Sequence, residues 1–115
     1  MFDFKNLIVY QKAKSFHSEC KRIVTQKGLD RYVKDQLGRA SFSVVLNIAE
    51  GSGKFSKPDR RNYFLTARGS VHECVAALDI LKDEQKISEE MHFAIDAQAD
   101  ELSRILYTMA KNLSS

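Results

Sequence analysis

Proline occurs once in this chain and glycine five times, too little of either for a low-complexity or disordered polymer. Cysteine is nearly as scarce. Two residues, Cys20 and Cys74, cannot supply the disulfide framework that staples small secreted folds, and both stand on apolar stripes far apart in sequence. They read as buried free thiols rather than a disulfide or a metal pair. No run approaches the roughly 20 apolar residues that a bilayer-spanning helix requires. The opening Met1, Phe2, Asp3, Phe4, Lys5 lacks the apolar stretch of a secretory signal. The expectation is a soluble, cytoplasmic chain with no membrane partner. A strand-like alternation of apolar and polar residues is missing too, as is any short internal repeat.

What remains is a helical composition: 115 residues, 43% hydrophobic and 29% charged. That length suits one domain, residues 1–115, with a real core and no room for separate catalytic and binding domains. The formal net charge of +3 conceals a division. Residues 1–69 carry 14 Lys/Arg against 6 Asp/Glu, and residues 70–115 carry 4 against 9. Such a distribution can turn a basic face toward a polyanion, or let the basic half of one subunit meet the acidic half of the next.

Val9, Ala13, Phe16, Cys20 and Ile23 recur at helical steps and predict an amphipathic helix over about 6–27, ended by Gly28 in a left-handed position. Asp30 offers an N-cap for a second helix over about 30–51, with Val33, Leu37, Ala40, Val44 and Ile48 inward. Residues 50–58 hold three turn-formers and the proline, hence a loop. Ser56 with Asp59 resembles a capping box, and Pro58 is tolerated in a first turn. A third helix therefore covers about 57–83, with Phe64, Ala67, Val71, Cys74, Leu78 and Leu81 as its stripe. Ser88, followed by Glu89 and Glu90, caps a fourth over about 88–113, with Met91, Ile95, Gln98, Leu102, Ile105, Met109 and Leu113 inward. Four such helices joined by short loops make an all-α, antiparallel up-and-down four-helix bundle.

The stretch Phe42, Ser43, Val44, Val45, Leu46, Asn47, Ile48, Ala49 is too apolar around its circumference for a helix with one wet face. A second partner is needed, and in a chain this short another copy of itself is the natural one.

Catalytic and cofactor chemistry find little support. Gly51, Ser52, Gly53, Lys54 imitates a phosphate-binding loop, but Ile48 and Phe55 stand where that motif needs Gly and Ser/Thr, and a helix precedes it rather than a strand. A di-metal bundle centre needs a Glu-x-x-His pair from each of two helices. Glu89 and His92 form one, whereas Lys14 and Gly69 occupy the places before His17 and His72. Three scattered histidines give no spacing for nucleophilic catalysis. No enzyme activity, metal, cofactor or small-molecule substrate is expected.

Two constellations remain. Ser43, Asn47 and Glu50 follow the helical step beside the apolar stripe of helix two, and helix three carries Gly69 and Ser70 with Arg68 and Glu73 nearby. A mid-helix Gly costs about 1 kcal/mol relative to Ala, so the expectation is that Gly69 and Ser70 let helix three approach Ser43 and Asn47 closely, while Glu50 finds an Arg or backbone N–H partner. The second constellation is Lys54, Lys57, Arg60, Arg61 and Arg68, with Phe55, Tyr63 and Phe64 interspersed. It is a candidate polyanion surface, against the plainer reading of a solvated charge run beside a loop.

The run from Gln36 through Arg39 to Gly51, followed by Phe64, Leu65, Thr66, Ala67, Arg68, Gly69, Ser70, Val71, His72, Glu73, resembles the four-helix-bundle proteins encoded by intervening sequences in bacterial 23S ribosomal RNA genes. Leu7 to Ala13 also fits, with Tyr10 where that family often has Trp, while Ser52, Gly53 and Lys54 replace a more usual aromatic, Gly and Arg. The resemblance implies a homopentamer, similar also to the RNA-binding accessory protein of diversity-generating retroelements. It makes Arg39, Ser43, Asn47, Glu50, Gly51, Gly69, Ser70 and Glu73 a structural motif. The combined expectation is a non-enzymatic homo-oligomer that binds RNA or a nucleic-acid-processing protein. The alternative is a protein-binding oligomeric adaptor with no nucleic-acid contact.

Overall fold

Leu7 is extended, with φ −70° and ψ 131°, and it separates a single 3-10 turn at Asp3–Asn6 from the first long helix. The computed structural model describes residues 2–114. Helix α1 covers Ile8–Val24, α2 Arg31–Ser52, α3 Lys57–Asp83 and α4 Glu89–Asn112. Each packs on its neighbour in sequence and α1 closes against α4, which makes a four-helix bundle of 45 × 24 × 22 Å.

Local chemistry accounts for the ends. Ser56 accepts the Asp59 N–H at 3.2 Å and Ser88 accepts that of Met91 at 3.0 Å, each satisfying one of the orphan donors of a helix start. Asp30 stands at the N-cap of α2 without a side-chain bond to the helix. The first helix is shorter than its periodicity suggests, because the turn before Leu7 and a cap at Thr25 trim both ends, and Gly28 takes its positive φ of 88° in the connection beyond. At the end of α3, Gln85 adopts φ 59°, the Lys86 N–H reaches the Leu81 carbonyl at 2.8 Å and the Gln85 N–H reaches that of Lys82 at 2.9 Å. This is a Schellman closure made without glycine.

The core is continuous through all four helices. Val9, Ala13, Phe16, Cys20 and Ile23 of α1 meet Leu37, Val44 and Ile48 of α2, Phe64, Val71, Leu78 and Leu81 of α3, and Ile95, Leu102 and Leu106 of α4. Burial of each large side chain is worth roughly 1.5–3 kcal/mol. On α4 the centre of the stripe is Ile95, Ala99, Leu102, Leu106 and Ala110, not the Met91, Gln98, Ile105 and Met109 register. Met91 is 38% exposed, whereas Ile105, Met109 and Leu113 flank the core. Alanines contribute little hydrophobicity to a periodic pattern, yet their small size suits a closely packed seam.

Cys20 and Cys74 are buried free thiols. The neighbouring Cys74 thiol and then burial push the Cys20 thiol far above the usual range, which keeps it protonated and inert. No helix among the described residues is long and apolar enough to cross a membrane.

Candidate nucleic-acid interface

The α2–α3 seam carries a polar line. Gln36 Nε2 donates to Glu73 Oε2 at 2.9 Å, the hydroxyls of Ser43 and Ser70 share a bond at 3.0 Å, and Asn47 Nδ2 donates to both the carbonyl and hydroxyl of Ser43 at 2.9 Å. The pairing of Ser70 with Ser43 matches the expected approach of α3 to α2. Gly69 does not take part: it is exposed, and a Cβ there would meet nothing within 4 Å. The close approach occurs at Gly51 instead, inside the last turn of α2 rather than in a loop. A Cβ on Gly51 would lie 2.8 Å from Tyr63 Cβ and 2.9 Å from Phe64 Cε1. Glu50 also departs from expectation, since its partner is Lys54 at 3.7 Å, an exposed pair of small energetic weight. Arg39 is exposed on α2.

Between α1 and α2, His17 Nδ1 and the buried Ser41 hydroxyl lie 2.8 Å apart, and the imidazole leans on Phe42 with ring centroids at 5.5 Å. Burial first, and then the charge of Lys21, lower the His17 pKa. The unfolded chain therefore takes up a proton at His17 near pH 6.5, while the folded chain does so only at lower pH, so stability falls as pH drops through that interval. Melting temperature is expected to decrease between about pH 7.5 and 5.5, and His17→Gln to flatten part of that decline in a pH series of thermal melts.

The basic residues do not form one surface. Lys54 lies over the Tyr63 ring at 5.2 Å and shares a depression with Phe2, Phe4, Leu46, Ala49, Glu50 and Gly53, on the α2 side of the molecule. Lys57 is exposed at the start of α3, beside the fully exposed Phe55. Arg60 Nε is buried and finds no hydrogen-bond acceptor among the described residues. Arg61 Nε donates to Ser114 Oγ at 3.0 Å, and Arg68 Nε to the Ser103 carbonyl at 3.2 Å, so these two run along the α3–α4 seam.

Antiparallel packing also redistributes the charge. The C-terminal part of α4, residues 104–112, holds Arg104 and Lys111 and no acid, and it lies against the arginine-rich start of α3. The preceding part of α4, with Glu89, Glu90, Asp96, Asp100 and Glu101, is wholly acidic. The boundary of charge therefore crosses α4 itself. Arg104 and Tyr107 sit in the acidic half of the chain, where nothing in the sequence marks them as basic-patch residues, and the Arg68 to Ser103 register brings them beside it.

On the outward side of α2, an apolar stretch lies between the exposed Arg39 and Glu50. Val44, Val45 and Ile48 are buried within the bundle, but Phe42 is 50% and Leu46 47% exposed, one helical turn apart. Leu46 and Ala49 line a depression with Phe2 and Phe4, which extends the apolar surface.

A family model described as "23S rRNA-intervening sequence protein" matches residues 5–108. Among solved structures, this chain is similar to a crystal structure of a protein with unknown function from the S23 ribosomal protein family of Bacteroides thetaiotaomicron VPI-5482. Identity is 20% and the TM-score 0.85, with 90% of this chain and 99% of that one covered. At that identity the likeness supports the bundle fold alone. None of the curated proteins matches.

Proposed function

Given that the chain belongs to the 23S rRNA-intervening sequence protein family, we propose that it is a non-enzymatic, cytoplasmic homo-oligomer that acts as a scaffold for RNA or a nucleic-acid-processing partner. The observation that carries the assembly is the half-exposed pair Phe42 and Leu46, next to Phe2 and Phe4, on a helix whose other sides are already packed. A monomer gains nothing by keeping such a surface wet. Ile80 on α3 and Phe93 on α4 are exposed as well. In a closed ring the half-exposed Phe42 and Leu46 of one subunit would meet a different surface of the next in a head-to-tail contact. A pentamer is the ring that the family resemblance implies.

RNA is favoured over a protein-only adaptor by the run Lys57, Arg60, Arg61 and Arg68 of α3 with Arg104 of α4 beside it, against which stand only the carboxylates of Asp59 and of the exposed Asp100 paired with Arg104. A ring repeats that surface around its axis and so raises avidity for one strand.

Titration with a labelled single-stranded RNA tests the choice. With about three phosphates contacted per subunit, affinity is expected to fall roughly 20-fold between about 50 and about 200 mM salt. Arg60→Glu with Arg61→Glu should weaken it by about tenfold or more. No binding at low salt would leave the adaptor reading in its place.

A further inference from the structure

One depression of about 420 Å³ belongs to neither the apolar face nor the polar seam: it is formed by Arg68 of α3 with Arg104, Tyr107 and Thr108 of α4. Its parts are fixed by the helices. Arg68 Nε donates to the Ser103 carbonyl at 3.2 Å, and its guanidinium carbon stands 5.3 Å from the Tyr107 ring centroid. That bond uses one of five guanidinium N–H donors. An arginine held at both carbonyl and ring loses little further freedom on meeting an anion. Arg104 is placed differently, paired with Asp100 at 3.0 Å by side chains that are both largely exposed. So open an ion pair is weak and readily exchanges its carboxylate for a phosphate. Tyr107 is 52% exposed beside them.

We infer that this groove holds one nucleotide of an unpaired RNA strand, with the base stacked on Tyr107 and the phosphate taken between Arg68 and Arg104. The inference rests on the reading that this chain binds RNA and assigns the point of contact. Two guanidinium groups alone would suit an acidic peptide equally well, but a half-exposed aromatic ring in the same depression adds a face for a base. Lys57, Arg61 and Arg68 follow helical spacing on one face of α3 and extend along about 16 Å at 1.5 Å per residue, room for several successive phosphates. A simple staple between helices would need only the carbonyl and the ring of α4, with no second arginine beside them and no half-open tyrosine.

Fluorescence anisotropy with an unstructured labelled RNA strand and a fully paired RNA duplex tests the assignment. Tyr107→Ala should weaken the single strand about tenfold with an unchanged salt slope, and leave the duplex unaffected, because a paired base cannot stack on the ring. Tyr107→Phe should bind as the parent does. Arg104→Ala, at an exposed side chain whose loss leaves the core intact, should weaken binding and lower the salt slope by about 0.7. Unaltered binding by both Tyr107→Ala and Arg104→Ala, in a parent protein that binds RNA, overturns the groove assignment alone. An effect of Arg104→Ala without one of Tyr107→Ala overturns the stacked base. A parent protein that binds neither RNA at low salt removes the RNA reading itself.

Discussion

Gly51→Ala lowers the melting temperature and Gly69→Ala raises it, although both exchange a helical glycine for the best helix former. The intrinsic gain from Gly to Ala is about 1 kcal/mol in each case. At Gly69 nothing lies within 4 Å of the added methyl, so the gain survives nearly whole. At Gly51 the methyl would meet Tyr63 Cβ at 2.8 Å and Phe64 Cε1 at 2.9 Å. The Tyr63 atom is the root of a side chain on α3 and Phe64 is locked in the core, so neither can swing aside, and the helices must separate. Overpacking of this kind costs roughly 1–3 kcal/mol at minimum relaxation, and a larger Gly51→Val should exceed it. Thermal melts of the three variants read this directly. Equal stabilisation by Gly51→Ala and Gly69→Ala would mean that α2 and α3 are not in contact at that turn.

The larger effect is expected from charges on the apolar side of α2. Phe42→Glu together with Leu46→Glu should dissociate the assembly while the monomer keeps its helical content, since both side chains are about half exposed and stand outside the core. Losing two apolar anchors of about 2 kcal/mol each corresponds to roughly a thousandfold weaker contact per interface. Burying the new carboxylates would add to that loss. The paired control is Val44→Glu in the same helix. Val44 is fully buried, so that substitution should unfold the bundle rather than disperse it.

Much of this architecture is visible in the residues themselves. The α3 boundaries follow from Ser56, Pro58 and the polar run after Leu81, and the start of α4 follows from Ser88, because capping chemistry is local. Register within α4 was harder to see, as Ala99 and Ala110 carry too little hydrophobicity to outweigh Met91 and Met109. The turn at Gln85 was hidden for a related reason: left-handed closures usually announce themselves with glycine, and here a glutamine does the same work.

At the candidate site the difficulty was long-range. A glycine's role depends on what stands opposite it, and nothing in the neighbourhood of Gly69 or Gly51 along the chain says which one faces Tyr63. Charge summed over halves of the sequence placed Arg104 and Tyr107 on the acidic side, but antiparallel packing returns them to Arg68. Ser43 and Ser70 were recognisable as small polar residues at matching depths, so their bond was foreseeable. The pairing of Glu50 with Lys54 is equally local, although Lys54 stands just beyond the end of α2 at Ser52, in the connection to α3.

Multi-angle light scattering on the chain, over a wide range of concentration and at moderate salt, bears most directly on whether sister chains cover Phe42 and Leu46. The expected particle is several times the 13.1 kDa chain mass, five times for the implied ring, reduced to a single chain by Phe42→Glu with Leu46→Glu. A folded particle of one chain mass at high concentration would contradict it.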